Sequence, residues 1–301
     1  MSGEVRRRTA DVKQDTFSSF HPLVGLFFFV LTLGFTMFFM HPVCLGISLV
    51  CALAYSARLE GWRSLGRQLR YLAPVLLFTA LLNPLFNHQG ETVFLRLPNG
   101  SPLTLEAVSY GGTAAAMLLA VIVWFRCFGA VITSDKFLCL FGRVAPALSL
   151  LLSMAFRFVP RFRTHMQAVS QAQPDTGGAR KLRTALAAFS ATVTWALENA
   201  IETADSMRSR GYGLPGATTY SVYRLTARDI AALCCLLAIG SLVITGSFLG
   251  GTRFQFYPAV WGPLTTPPAL GVFISFSLLC LFPLLTDLWE DLKWNCLLSK
   301  T

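Results

Sequence analysis

Charged residues are scarce in this chain: Asp, Glu, Lys and Arg make up 13% of its 301 positions, whereas 54% are hydrophobic. A soluble globular domain carries about 25% charged residues, so the composition excludes an ordinary soluble protein and indicates a protein embedded in a lipid bilayer. The formal net charge is nevertheless +10. Because the basic residues gather at the ends of apolar runs, they indicate membrane topology, and we expect no nucleic-acid partner.

Motifs for metal binding, cofactor binding and catalysis are also missing. The eight cysteines form no C-x-x-C pair, and the four histidines lie far apart without ligand spacing, so we predict neither a metal site nor a cofactor. No G-x-x-x-x-G-K-[ST] loop occurs, which excludes ATP hydrolysis by the usual P-loop route. An intramembrane enzyme would need paired carboxylates, H-E-x-x-H or a Ser–Lys arrangement within its spans. These contain almost none, so we expect a non-catalytic protein.

Six apolar runs are long enough, or nearly long enough, to cross a bilayer, which requires about 20 residues. The runs are Pro22–Met40, Pro42–Ala57, Tyr71–Phe86, Ala107–Thr133, Ile230–Leu249 and Ala269–Thr286. The third run contains Pro74 and Pro84, and each proline removes a helical hydrogen bond, so this run is either a full crossing or a broken, re-entrant segment. The predicted fold is an all-α polytopic membrane protein with about six transmembrane helices and two long cytosolic helices.

The distribution of Lys and Arg predicts that both termini are cytosolic. With six crossings and the N-terminus inside, Arg96 and Arg253 fall on the outer side, Arg126 falls within a span, and the other basic residues lie inside. The predicted parts are a cytosolic N-terminal tail, N-terminal transmembrane helices, a cytosolic region, and C-terminal transmembrane helices with a short cytosolic tail. They cover residues 1–19, 20–134, 135–228 and 229–301.

The cytosolic region is predicted to contain two helices on either side of a Pro- and Gly-containing breaker at 174–178. The second helix, Arg180–Arg210, would be about 45 Å long and would end at Gly211 and Gly213. Near its end, apolar residues at helical spacing form one face: Leu197, Ala200, Ile201, Ala204 and Met207. Arg208 and Arg210 occupy the last turn. A favourable interaction with the helix dipole would explain them, and so would docking of a partner.

Two motifs in this region resemble one family. The stretch Ala204-Asp-Ser-Met-Arg-Ser-Arg-Gly-Tyr212 is similar to the Ala-x-x-Met-x-x-Arg-Gly-Tyr signature of the transmembrane T component of energy-coupling factor (ECF) transporters, a family that includes the cobalt transporter permease. Upstream, Ser153-Met-Ala-Phe-Arg-Phe-Val-Pro160 resembles that family's Ser-Leu-x-x-Arg-Phe-x-Pro element. The order of apolar runs, central region and further apolar runs is also similar.

The resemblance implies a scaffold and coupling subunit of an ABC-type importer for vitamins or metal ions in a prokaryotic inner membrane. The implied partners are two ABC-type ATPase subunits, which hydrolyse ATP, and a small substrate-binding membrane subunit (S subunit). In the family, two coupling helices each end in an Ala-Arg-Gly-like tripeptide whose arginine enters a groove on an ATPase. The implied ATPase-docking residues here are Ala204, Met207, Ser209, Arg210 and Gly211. The implied hinge or docking residues of the first coupling helix are Arg157, Pro160 and Arg161.

The chain departs from the family pattern at one point, and alternatives remain open. The first tripeptide is expected near 174–177, where the sequence reads Pro-Asp-Thr-Gly without an arginine. Either Arg180 substitutes from a shifted position, or one ATPase contact is weaker. Arg157 and Arg161 are equally consistent with simple anchoring at the membrane surface. The alternative function is an ordinary transport permease, or a substrate-binding membrane subunit with its own solute site.

Overall fold

The computed structural model of the chain describes residues 16–87, 90, 92–96, 102–142, 146–172, 180–215, 223, 225–258, 260–262 and 265–298. Within these ranges it contains nine α-helices and one two-stranded antiparallel sheet, which confirms the predicted all-α class. The chain divides into two compact units. The larger unit combines Met1–Thr133 with Leu225–Thr301, and the smaller unit is Ser134–Arg224.

Two short helical elements accompany the α-helices. A 3-10 helix, Thr16–Ser19, precedes α1, and a π-helical turn, Ser247–Gly251, follows α8. The two paired strands are β1 (Val93–Arg96) and β2 (Pro102–Thr104). The helices are α1 (Pro22–Phe38), α2 (Pro42–Glu60), α3 (Trp62–Phe86), α4 (Leu105–Val131), α5 (Ser134–Gly142), α6 (Pro146–Ala172), α7 (Arg180–Ser209), α8 (Ala227–Gly246) and α9 (Pro267–Leu298).

Five helices among the described residues are long and apolar enough to cross a membrane: α2, α3, α4, α8 with its π turn, and the Pro267–Lys293 part of α9. The first predicted run instead forms the 17-residue helix α1, about 25 Å long. It stops before Met40 because Phe39 is extended and His41 precedes Pro42, whose ring disfavours a helical conformation at the residue before it. The third run belongs to one unbroken 25-residue helix, with Pro74 and Pro84 inside it.

The core of the larger unit is built around an aromatic cluster that includes the N-terminal segment. Phe17 is 1% exposed, and its ring centroid lies 5.3 to 6.4 Å from those of Phe28, Phe29, Tyr55 and Phe282. Edge-to-face pairs of this kind add to the free energy gained by burying the rings. The Thr16–Ser19 turn is therefore part of the packed fold, a feature that the polar composition of residues 1–19 did not predict.

Buried hydroxyl groups in this unit are joined in a chain of hydrogen bonds. The indole N–H of Trp124 donates to Ser48 Oγ at 3.0 Å, and Ser48 and Thr36 hydroxyls lie 2.8 Å apart. Thr36 in turn donates to the carbonyl of Thr32 at 2.7 Å. No water is present inside a bilayer to satisfy polar groups. These hydrogen bonds therefore let α1, α2 and α4 pack together with the bonded polar atoms paired.

Arg126, which the sequence places within a span, is neutralised by a partner from another helix. Its Nε donates to Glu60 Oε1 at 2.8 Å, and a second guanidinium N–H bonds the other carboxylate oxygen. The guanidinium also lies 3.1 Å from Ser64 Oγ. The forked geometry suits arginine rather than lysine, so this charge joins α2, α3 and α4.

The connection between α1 and α2 contains a fully buried histidine. The Nδ1 of His41 accepts a hydrogen bond from the Val43 N–H at 3.3 Å and so caps the start of α2. Its ring centroid lies 5.0 Å from those of Phe254 and Phe273. Burial lowers the pKa of His41 below its usual value, because the charged imidazolium is poorly solvated there.

We expect His41 to make the fold sensitive to acid. Since the folded-state pKa lies below the unfolded value, the unfolded chain takes up a proton first as the pH falls through about 6.5, and the free energy of unfolding drops. His41→Asn keeps a side-chain acceptor for the α2 cap but does not titrate. Thermal unfolding in detergent should lose less stability between about pH 7.5 and 5.5 in the variant than in the wild type. Equal losses in both proteins would contradict this role.

Candidate functional site

The candidate site lies on α6 and α7, the two long helices of the smaller unit, which carry both sequence motifs. Trp195 of α7 joins them. Its ring stacks on His165 of α6, with centroids 4.1 Å apart and ring planes 5° apart, and on Phe158, with centroids 5.8 Å apart and planes 22° apart. Phe158 and His165 are seven residues apart on α6 and therefore share a face. This aromatic stack aligns the two helices against each other.

Apart from Trp195, the side chains on the buried face of α7 are small or polar. Ala188 and Thr192, one turn apart, are fully buried. The Thr192 hydroxyl donates to the Ala188 carbonyl at 2.7 Å, and the Asn199 amide donates to the Trp195 carbonyl at 3.2 Å. Small side chains here allow close approach, and local hydrogen bonds satisfy the polar groups without a partner helix.

The apolar face predicted near the end of α7 is exposed. Leu197 is 62% exposed and Ile201 is 64% exposed, and Ala200 and Ala204 are exposed as well, while Met207 is half-buried. A surface helix of a soluble protein normally turns such a face inward. On α7 this face is instead left without cover among the described residues, and it extends towards the N-terminus of the helix through two more exposed side chains, Leu186 and Phe189.

The end of α7 has the geometry of a Schellman C-cap. The Tyr212 N–H donates to the Met207 carbonyl at 3.0 Å, and the Gly211 N–H donates to the Arg208 carbonyl at 3.0 Å. Gly211 has φ +85°, and a Cβ on it would lie 3.1 Å from Leu214 Cδ1. A side chain is disfavoured in this left-handed conformation, so the motif favours glycine there. The predicted helix end at Gly211 is confirmed.

The cap holds Ser209 and Arg210 at the tip of the helix with their side chains exposed. The Ser209 hydroxyl donates back to the Ser206 carbonyl at 2.9 Å. No salt bridge joins Arg210 to a carboxylate among the residues that the structure describes. The guanidinium therefore presents its planar set of donors to the surroundings of the unit.

The upstream motif lies in the middle of α6. Arg157, Pro160 and Arg161 are all exposed, and Arg157 and Arg161 are one turn apart on one face. The helix continues through Pro160, although a proline removes the donor that would bond the carbonyl four residues earlier. Neither a hinge nor membrane anchoring follows from these positions alone, so the role of the three residues stays a prediction.

The structure does not gather all the predicted residues into one place. The five predicted ATPase-docking residues occupy the last turn and cap of α7. Arg157, Pro160 and Arg161 instead lie on α6 beside Phe158, which contacts Trp195. Trp195 is 15 residues, or about 22 Å along the helix, from Arg210. The predicted first tripeptide at 174–177 lies outside the described residues. Arg180 is the first residue of α7.

The contacts of Trp195 are the part of the site that the sequence interpretation missed. The signal was available, since Phe158, Phe162 and His165 follow the i, i+4, i+7 spacing of one helix face. That spacing identifies an aromatic strip on α6 but does not identify its partner on α7.

No protein-family model matches the chain, and a comparison with curated proteins finds no match. Among the described residues, no three His, Cys, Asp or Glu side chains come together in a way that would hold a metal ion. The two motifs and the geometry of α6 and α7 are therefore the features of the chain that point to a function.

Replacing Trp195 should loosen α6 from α7. We expect Trp195→Ala to destabilise the smaller unit by about 2–3 kcal/mol, less than for a fully buried tryptophan because the side chain is only partly buried. Trp195→Phe keeps an aromatic ring and should retain most of the stability. Amide hydrogen exchange, measured by mass spectrometry on peptides from α6 and α7, should accelerate in the alanine variant. Unchanged exchange in Trp195→Ala would show that the stack is dispensable.

Proposed function

We propose that this chain is the transmembrane scaffold and coupling subunit of an ECF-type ABC importer in a prokaryotic inner membrane. Its apolar helices hold it in the bilayer beside a small substrate-binding S subunit. The helices α6 and α7 act as coupling helices that transmit the motion of two ATPase subunits during uptake of a vitamin or metal ion. The observation that carries the proposal is the capped end of α7, which holds Arg210 exposed within the Met-x-x-Arg-Gly-Tyr motif.

A coupling element must be stiff to transmit movement. The helix α7 is 30 residues long, and its hydrogen bonds lie within the helix. An isolated helix frays at its ends, but two features support α7 against this. The stack of Trp195 on α6 holds its middle, and the Schellman bonds hold its last turn. Force applied at Gly211 would thus move the helix as a unit.

A coupling element also needs an anchor that keeps its charge and orientation. Arginine stays ionised and offers five donors in a rigid plane, which suits a carboxylate on an ATPase. The cap fixes the backbone on both sides of Arg210, so less conformational freedom is lost on docking. The chain has no P-loop of its own, so the proposal assigns ATP hydrolysis to the partners and no catalysis to this subunit.

The exposed apolar face of α7 supports the second half of the proposal. Leu186, Phe189, Leu197 and Ile201 are each more than half exposed, and exposed apolar patches of this kind mark interaction sites. We assign this face to the S subunit, because burying these side chains against it would remove apolar area from water and so hold the coupling helix to it. The same face of α7 then links the moving coupling helix to the subunit that holds the solute.

Removing the Arg210 side chain should weaken docking of the ATPase. For an arginine at the centre of an interface, truncation typically costs about 2 kcal/mol or more, roughly a 30-fold loss in affinity. We expect Arg210→Ala to reduce the ATPase subunits that co-purify with the affinity-tagged chain and to lower transport. Arg210→Lys should restore little, since lysine lacks the planar donors.

Arg208→Ala is the matched control, because Arg208 is exposed in the same last turn but lies outside the tripeptide. Its loss should leave co-purification near the wild-type level. Full ATPase recovery and transport with Arg210→Ala would refute the docking role. If solute binds to the purified chain in the absence of any partner, the alternative of a permease or substrate-binding subunit would replace the proposal.

Charging the apolar face should release the S subunit. Leu197 and Ile201 are exposed within the chain, so Leu197→Glu with Ile201→Glu should leave the scaffold folded while placing carboxylates in an apolar interface. We expect at least about a tenfold loss of the co-purifying small membrane subunit, with ATPase recovery retained. Glu202→Gln, on another exposed face of α7, is the control. Retention of the S subunit by the double variant would contradict the assignment.

A further inference from the structure

The first turns of α3 carry three exposed arginines on one face. Arg63, Arg67 and Arg70 are spaced i, i+4 and i+7, which places them within a narrow arc of the helix. Trp62 and Tyr71, at the two ends of this segment, are 76% and 75% exposed. Aromatic side chains with one polar atom are typical of the boundary between water and hydrocarbon.

These arginines have no carboxylate partner among the residues that the structure describes. The neighbouring carboxylate, Glu60, bonds Arg126 and accepts a hydrogen bond from Ser64 at 3.0 Å. No salt bridge joins Arg63, Arg67 or Arg70 to an acidic residue in the described part of the chain. Three uncompensated guanidinium groups on one face form an anion-binding surface.

The same face becomes apolar further along α3 and stays uncovered. Four apolar side chains lie on the face of the arginines, at most about 20° outside their arc, and each is more than half exposed: Leu77, Phe78, Leu81 and Leu85. On a neighbouring side of the helix, α3 packs closely on α4: a Cβ built on Gly111 would overlap the carbonyl oxygen of Ala80. Close packing on one side thus leaves the basic and apolar side of α3 free.

We propose that this face of α3 binds an anionic phospholipid. The arginines hold the phosphate headgroup, and the acyl chains lie along the leucine and phenylalanine side chains. The lengths are compatible: the nine residues Trp62–Arg70 span about 13 Å, and the sixteen residues Tyr71–Phe86 span about 24 Å, more than the roughly 15 Å of one leaflet that the acyl chains of a phospholipid occupy. A soluble acidic protein would match the charge but not the apolar part of the face, so a lipid fits better.

The test is lipid selectivity of the purified full-length chain. The protein is equilibrated with equal amounts of phosphatidylglycerol and phosphatidylcholine of identical acyl chains, and the retained lipids are quantified by native mass spectrometry. The wild type should retain phosphatidylglycerol preferentially. In Arg63→Gln/Arg67→Gln/Arg70→Gln this preference should fall by roughly tenfold or more, since each arginine near the headgroups contributes separately to attraction of an anionic lipid.

Two further variants separate a site from a general charge effect. Arg163→Gln/Arg183→Gln/Arg208→Gln removes the same charge from exposed positions of the smaller unit and should keep the preference. Arg63→Lys/Arg67→Lys/Arg70→Lys keeps the charge and should show an intermediate preference. It also serves as the test variant if the glutamine variant aggregates. The proposal is overturned if the wild type shows no preference for phosphatidylglycerol, or if the charge-matched control loses as much of that preference as the α3 glutamine variant.

Discussion

The smaller unit depends on the stacking of Trp195 against α6. Most of the other side chains that α7 turns inward are small or polar, as at Ala188 and Thr192, so they supply close approach but little apolar area. The aromatic rings of Phe158 and His165 provide the larger contact and fix the register of the two helices. With the inward face occupied in this way, the apolar residues of α7 are left on the outside, where the proposed S subunit would cover them.

In the larger unit the corresponding constraint is the satisfaction of polar groups in an apolar environment. The hydroxyl chain from Trp124 to Thr36 and the pairing of Arg126 with Glu60 both join helices that are distant in sequence. Unpaired polar groups at these positions would destabilise the fold by several kcal/mol in hydrocarbon. Charged side chains that remain exposed therefore point to interactions with other molecules or with lipid, and the arginines at the start of α3 form such a group.

Sequence patterns predicted much of the architecture and part of the site. Apolar runs predicted the spans, and the Gly211 position predicted the end of α7, because both depend on local chemistry. Other features depended on contacts that no local pattern encodes. The burial of Phe17 needs α2 and α9 beside it. The shortness of α1, by contrast, reflects the local effect of Pro42 on the residue before it, a signal that the sequence did contain. The sequence also left open whether the third run is a full crossing or a broken segment, and the structure has one unbroken helix through Pro74 and Pro84.

The sequence by itself determined the membrane class, the approximate spans and the motif around Arg210, since composition, run length and glycine preference act over a few residues. The tertiary structure alone decided which way each face points. It turned Trp195 inward and Leu197 outward, paired Arg126 with Glu60, and left Arg67 exposed. The reason is physical: helical periodicity defines a face, but only the neighbouring helices determine whether that face is buried.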